Sequence, residues 1–210
     1  MKRLKELFLL FKKGLIAGIF LSIGYYFSLL TTNEYLKVGI FTLFILTSFL
    51  QGSNLYVIYV GYLDNSKMIL DYLSVLLGNI LPCVILSFWF KQILSDEVIN
   101  TIYNNVTYLL CEMSLFKVIS QCFISGFVIH LCFSNFFKCK SFIQFCIPIM
   151  IVYFTYGEFY LTRIIDFIIS NNISTITISY MIINILALSF GAKCCFKLLT
   201  WNIGDKNEVS

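Results

Sequence analysis

Few side chains in this protein can do chemistry, and those that can sit in apolar surroundings. Gly157, Glu158 and Arg163 fall within PIMIVYFTYGEFYLTRIID (148–166), a stretch apolar enough to cross a bilayer. A glycine weakens a helix interior, and an ionisable group at membrane depth is tolerated only where it faces protein or a water-filled cavity. The stretch therefore predicts a broken membrane helix, the usual mark of a transport path. At five residues' separation, Glu158 and Arg163 either serve a passing solute or pair with each other and close the break. His130, the only histidine, has the one side chain whose ordinary pKa suits proton transfer near neutrality. A lone histidine on an apolar helix also serves as a hydrogen-bonded packing residue, and both readings stay open.

Nucleophile and metal chemistry find little support. The eight cysteines, at 83, 111, 122, 132, 139, 146, 194 and 195, make no C-x-x-C pair and no ligand set with the histidine. They read as small hydrophobes, with Cys194 and Cys195 as candidates for palmitoylation. His130 with Cys132 or Cys139 is the nearest approach to a base and nucleophile, in the manner of some membrane peptidases. The spacing is loose, and a thiolate needs water, whereas His130 lies well inside an apolar span. No catalytic residue, metal or cofactor is assigned, and neither Rossmann nor P-loop glycines occur.

The elements that must position these residues are membrane spans. Of 210 residues 59% are hydrophobic and 12% charged, with a mean hydropathy of +0.87, far outside the soluble range. One channel-sized domain over 1–210 is expected, solvated by the lipid bilayer. Its net charge of +4 is a topology signal and not a nucleic-acid footprint. A basic amphipathic lead-in (1–13) precedes spans at 14–30, 38–63, 69–90, 115–137, 142–169 and 173–196. Each is near the roughly 20 residues a bilayer needs, and the fifth is longer, as a broken span would be. A polar segment, 91–112, separates the third and fourth, and a tail, 199–210, follows the last. The second span carries Gln51, Gly52, Ser53 and Asn54 at its centre and so reads as broken too. Lys and Arg crowd the N-terminus, the Lys138/Lys140 link and the Lys193/Lys197 tail, which puts both termini in the cytoplasm; Lys91 is the main residue against it.

The two halves read as repeats. Ile16-Ala17-Gly18-Ile19 is matched by Ile124-Ser125-Gly126-Phe127, and Asn79-Ile80-Leu81 by Asn184-Ile185-Leu186. Three spans per half is an odd number, so the second half must be inverted, with the broken spans of the two halves meeting at the midplane. Half-helix N-termini would then direct N–H groups at the centre, which suits an anion. The plainer reading is that Gly18 and Gly126 serve helix packing. The predicted fold is an all-α membrane protein of six transmembrane helices in two inverted three-helix repeats, aquaporin-like, with spans 2 and 5 broken.

In order and spacing these features resemble the formate/nitrite transporter family over nearly the whole chain. The family breaks its second span at a G-A-E-L-F-T-G-like loop, where Gly52-Ser53-Asn54-Leu55-Tyr56-Val57-Ile58 stands here. Its third span carries L-G-N, as Leu77-Gly78-Asn79; its fourth G-I-L-x-N, against Gly126-Phe127-Val128-Ile129-His130. Its fifth begins P-I and reaches G-F-E-H-S-x-A-N, against Pro148-Ile149 and 157–163, and its sixth ends near Ile183-Asn184.

The resemblance implies a homo-pentamer in the cell membrane with one pore per subunit, passing small monovalent anions or their neutral acids, of the formate, nitrite, hydrosulfide and lactate class. It places the family's central histidine on Phe159, its loop threonine on Val57, its loop acid on Asn54 and its later asparagine on Arg163. Glu158, Asn79 and Asn184 are retained, Lys117 is a displaced counterpart of the lysine ahead of the fourth span, and these four, with Phe159, Arg163 and His130, are the expected substrate-pathway residues. Leu55, Tyr56, Val57, Val152 and Phe159 form either the constrictions or a plugged core. A phenylalanine can neither hold nor protonate an anion, so Arg163 or His130 must supply what the histidine did. Otherwise the chain is a non-conducting subunit that acts as a partner or regulator in a membrane assembly.

Overall fold

The computed structural model describes residues 2–62, 68–139, 142–156 and 160–207. Among them helix is the only regular structure, and the chain is a multi-pass membrane protein. Its helices are α1 (Lys2–Leu29), α2 (Glu34–Leu50), α3 (Tyr56–Gly61), α4 (Ile69–Ile93), α5 (Asp96–Cys111), α6 (Leu115–Cys139), α7 (Phe142–Tyr156), α8 (Tyr160–Ile169) and α9 (Thr175–Asn207). Four of them, α1, α4, α6 and α9 through Thr200, are long and apolar enough to cross a membrane. Phe88, Trp89, Leu77, Leu186 and Phe190 are more than half exposed on their outer faces, a surface that water would penalise and lipid does not.

Local chemistry sets several boundaries. Asn33 caps α2, its side-chain oxygen accepting from the N–H groups of Tyr35 and Leu36 at 3.0 and 3.2 Å, with Glu34 in the first turn. At the other end Gly52 takes a φ of 70°, the left-handed region that favours glycine, and the chain runs without helix to Tyr56. The second apolar span is thus split into α2 and α3. The fifth stands as α7 and α8 on either side of residues 157–159, which lie outside the described residues. The basic lead-in is continuous with the first span in a single helix, because nothing between Lys2 and Leu29 breaks it. The polar segment 91–112 is helical as well. Its α5 opens with Asp96 and Glu97 in the first turn and buries Ile102, Val106 and Leu109 at helical spacing.

Packing relates the halves reciprocally. The most extensive contacts are α1 with α4 and α6 with α9. Both are backbone-close: a Cβ on Gly18 would overlap the Asn79 carbonyl, and one on Gly126 the Leu188 carbonyl. The two sequence-matched glycines therefore do serve helix packing. The short helix of each half crosses into the other, α3 onto α6 and α9, α8 onto α1 and α4, while α2 meets α7. A two-fold relation between inverted halves demands this exchange. Aromatic side chains pack α2, α6 and α7 together, with Phe49 and Phe145 each set edge-on to Phe133 at 4.7 and 4.9 Å.

Candidate functional site

Asn79 organises the first break. It sits fully buried on α4, and its side-chain oxygen accepts from the N–H of Tyr56, the first residue of α3, at 3.0 Å. Its amide nitrogen donates to the carbonyls of Gly14 on α1 and Asn54 in the loop, at 2.9 and 3.0 Å. One side chain thereby ties α1, the loop and α3 to α4. The loop is further held by the Asn54 N–H on the Lys13 carbonyl and by Ser53 on Ser48. The first N–H of α3 is therefore already bonded within the protein, not presented to a solute. Leu55, Tyr56 and Val57 are 3% exposed or less, packed into the core beside a small cavity of about 150 Å³ lined by Phe49, Ser53, Asn54 and Tyr59 among others.

Asn184 occupies the matching place on α9, fully buried, and accepts from the Cys122 thiol of α6 at 3.0 Å. Cys122 is the repeat counterpart of Gly14, so the same helix pair is bridged, here by a side chain where the first half uses a carbonyl. Among the described residues the amide nitrogen of Asn184 has no hydrogen-bond partner. Gln121 and Ser125, one helical turn apart on α6, add a buried carbonyl oxygen and hydroxyl likewise unpartnered. Among the described residues the interior of the second half thus holds several unmet buried polar groups.

Arg163 opens onto a cavity of about 460 Å³ between α1, α2, α5 and α8. Its guanidinium pairs with Asp166, one turn on, at 3.3 Å, and the other carboxylate oxygen accepts the Tyr25 hydroxyl from α1 at 2.5 Å. Tyr25 and Asp166 are 141 positions apart in sequence. Sequence reasoning missed both; the available signal was the i,i+3 spacing of Arg163 and Asp166 on one helix face. Glu158, the other partner expected for Arg163, lies outside the described residues, as does Phe159, and the side chain of Val152 is likewise not described.

His130 is elsewhere, at the far end of α3. Its ring is fully buried against Gly61, where a Cβ would overlap the imidazole, with Tyr62 and Phe196 at ring separations of 5.1 and 6.0 Å. Among the described residues neither ring nitrogen has a hydrogen-bond partner. The Lys193 ammonium lies nearby, donating to the Gly61 carbonyl at 3.3 Å and lying 5.3 Å from the Phe196 ring centre. Lys117 is exposed in the first turn of α6 and lines neither of these cavities. The structure thus separates Arg163 and His130 into different environments and brings Asn79 to the first break. Among the described residues no cluster of three or more His, Cys, Asp or Glu could hold a metal ion.

The backbone superposes on a solved pentameric formate channel with formate bound, with a TM-score of 0.77 over 98% of this chain and 99% of that one. The chain has the formate-channel fold. Sequence identity across that match is 13%, and neither a family model nor a curated protein matches the sequence. Within the formate-channel fold, what this sequence keeps is the geometry of close helix pairs and crossed half-helices. The side chains that fill it are largely its own.

Proposed function

We propose that the chain is a six-span membrane channel for small monovalent solutes of the weak-acid class, anions or their neutral acids, assembled as a homo-pentamer with cytoplasmic termini. The observation that carries this reading is the end-to-end likeness to a formate channel, together with half-helices exchanged between the two halves. In such a fold the path runs where the broken spans meet. Arg163 and its cavity form one mouth, and the side chains of Leu55, Tyr56 and Val57 the narrow part, to which the sequence resemblance also assigns Val152 and Phe159. Glu158, Asn79 and Asn184 hold the breaks, His130 stands toward the opposite end, and Lys117 contributes charge at the surface.

The test is uptake into proteoliposomes of formate, nitrite, hydrosulfide and lactate over a pH series. Uptake above that of protein-free vesicles for at least one of them is expected; none at any pH refutes the reading. A second reading, the non-conducting subunit, is favoured by the full packing of Leu55, Tyr56 and Val57 and by cavities that share no lining residue among the described residues. Vesicles that stay tight around a folded, pentameric protein would support it.

A further inference from the structure

The first turns of α1 are at once a basic segment and one wall of an apolar groove. Lys2, Arg3, Lys5, Lys12 and Lys13 stand there with a single acid, Glu6. Leu4, Phe8 and Phe11, at helical spacing, line a groove of about 520 Å³ whose other wall is Ser74 and Leu77 of α4, and Lys5 completes its rim. The fold fixes the shape of this groove. A Cβ on Gly78 would overlap the Phe11 carbonyl, so the two backbones meet closely along it, and Arg3 reaches across to Asp71 at 2.7 Å. Leu4, Phe8 and Leu77 remain more than half exposed all the same, a contiguous apolar surface that calls for an occupant. Its depth narrows the choice. The 28 residues of α1 extend about 42 Å, against a hydrocarbon core of about 30 Å. Residues 14–29 carry no charge, so the excess length lies at the basic end and puts these turns at the level of lipid headgroups.

We propose that this groove is a binding site for one anionic phospholipid, an acyl chain lying along Leu4, Phe8, Phe11 and Leu77 and the phosphate held by Lys5 with Lys12 beside it. The groove by itself would take any lipid tail, and the lysines at its edge select the headgroup. Lys12 stands two turns after Lys5 on the same edge, its stem along the Phe8 ring and its ammonium 5.5 Å from the ring centre. Among the described residues neither Lys5 nor Lys12 enters an ion pair. A lysine at this depth meets phosphate as a point charge, and cytoplasmic leaflets are rich in anionic lipid. That the lipid comes from the cytoplasmic leaflet rests on the proposed placement of the termini; the site itself rests on the groove and its lysines.

The experiment titrates the purified, delipidated full-length protein in detergent micelles with phosphatidylglycerol or phosphatidylcholine of identical acyl chains, and reads bound lipid by native mass spectrometry. The wild type is expected to prefer phosphatidylglycerol by at least about tenfold, the effect of two lysines on an anionic headgroup. Lys5→Gln/Lys12→Gln loses most of that preference, whereas Lys91→Gln, at the other end of α4, keeps it. Ser74→Trp fills the groove and weakens the binding of both lipids. Glycerol phosphate, a headgroup without chains, does not compete.

Equal affinity of the wild type for the two lipids would overturn the proposal, as would an undiminished preference in Lys5→Gln/Lys12→Gln. Ser74→Trp that dissociates an oligomer and leaves lipid binding intact would also overturn it, and would assign the groove to a neighbouring copy of the chain. If the double lysine variant does not fold, Lys5→Gln alone makes the same comparison, with a smaller loss of preference expected. Orientation is read separately, by labelling of the N-terminus in sealed vesicles. An external N-terminus refutes the cytoplasmic placement and moves the site to the other leaflet, while the micelle titration still decides the binding.

Discussion

Replacing Asn79 by Leu removes the one side chain that bridges α1, the first break and α3. Three hydrogen bonds of 2.9 to 3.0 Å are lost, and the Tyr56 N–H, in a fully buried residue, is left without its acceptor. Side-chain hydrogen bonds within membranes average about 0.6 kcal/mol each, and an abandoned buried donor costs about 1–3 kcal/mol. Together these give a loss of roughly 3–5 kcal/mol for Asn79→Leu. Among the described residues Asn184 makes a single side-chain contact, thiol to oxygen, and its amide nitrogen is unpartnered, so Asn184→Leu should cost about 1 kcal/mol or less. Equilibrium unfolding of both variants in mixed micelles, monitored by far-ultraviolet circular dichroism, measures the difference. Asn79→Asp is an informative control: it keeps an acceptor for Tyr56 but cannot donate to the carbonyls of Gly14 and Asn54, so it should not rescue. The reasoning is refuted if Asn79→Leu costs no more than Asn184→Leu, or if Asn79→Asp behaves as wild type.

Two further outcomes follow from buried polar groups. His130→Phe keeps a ring against Gly61, Tyr62 and Phe196 and deletes two nitrogens that have no hydrogen-bond partner among the described residues. Thermal stability should hold or rise, by up to about 2 kcal/mol, whereas a clear fall would show that the imidazole is hydrogen-bonded in solution. Arg3→Gln strips the cation from Asp71, whose side chain is 7% exposed and paired to Arg3 at 2.7 Å. An unpaired buried carboxylate should cost about 1–3 kcal/mol in the same unfolding assay, and Asp71→Asn in the Arg3→Gln background should recover part of it.

Much of the architecture is legible in the sequence because it depends on composition and local chemistry. Long apolar runs with few charges can only be membrane spans. Gln51, Gly52, Ser53 and Asn54 in the middle of one of them interrupt the helix where the structure interrupts it. The paired Gly18 and Gly126, with Asn79 and Asn184, announce an internal repeat, and the order of motifs resembles a family whose fold the structure shares. The sequence was weaker where polarity concealed helix. Its reading of 91–112 as polar left out α5, whose few buried residues become a face only when α8 packs against them.

Partners between distant residues belong to the tertiary structure alone. That Asn79 caps α3 from across the bundle, that Asp71 near the start of α4 meets Arg3 in the first turn of α1, and that Arg163 is neutralised by Asp166 with Tyr25 behind it all depend on how helices cross. Sequence marks Arg163 as a charge at membrane depth, and its spacing leaves a passing solute and an internal pair equally open. Once α8 lies against α1 the Asp166 carboxylate that pairs with Arg163 is held by a hydroxyl 141 positions away. A helix's apolar length is a property of the chain by itself, while the charge seen by a solute is a sum over whichever side chains the fold brings within a few ångströms.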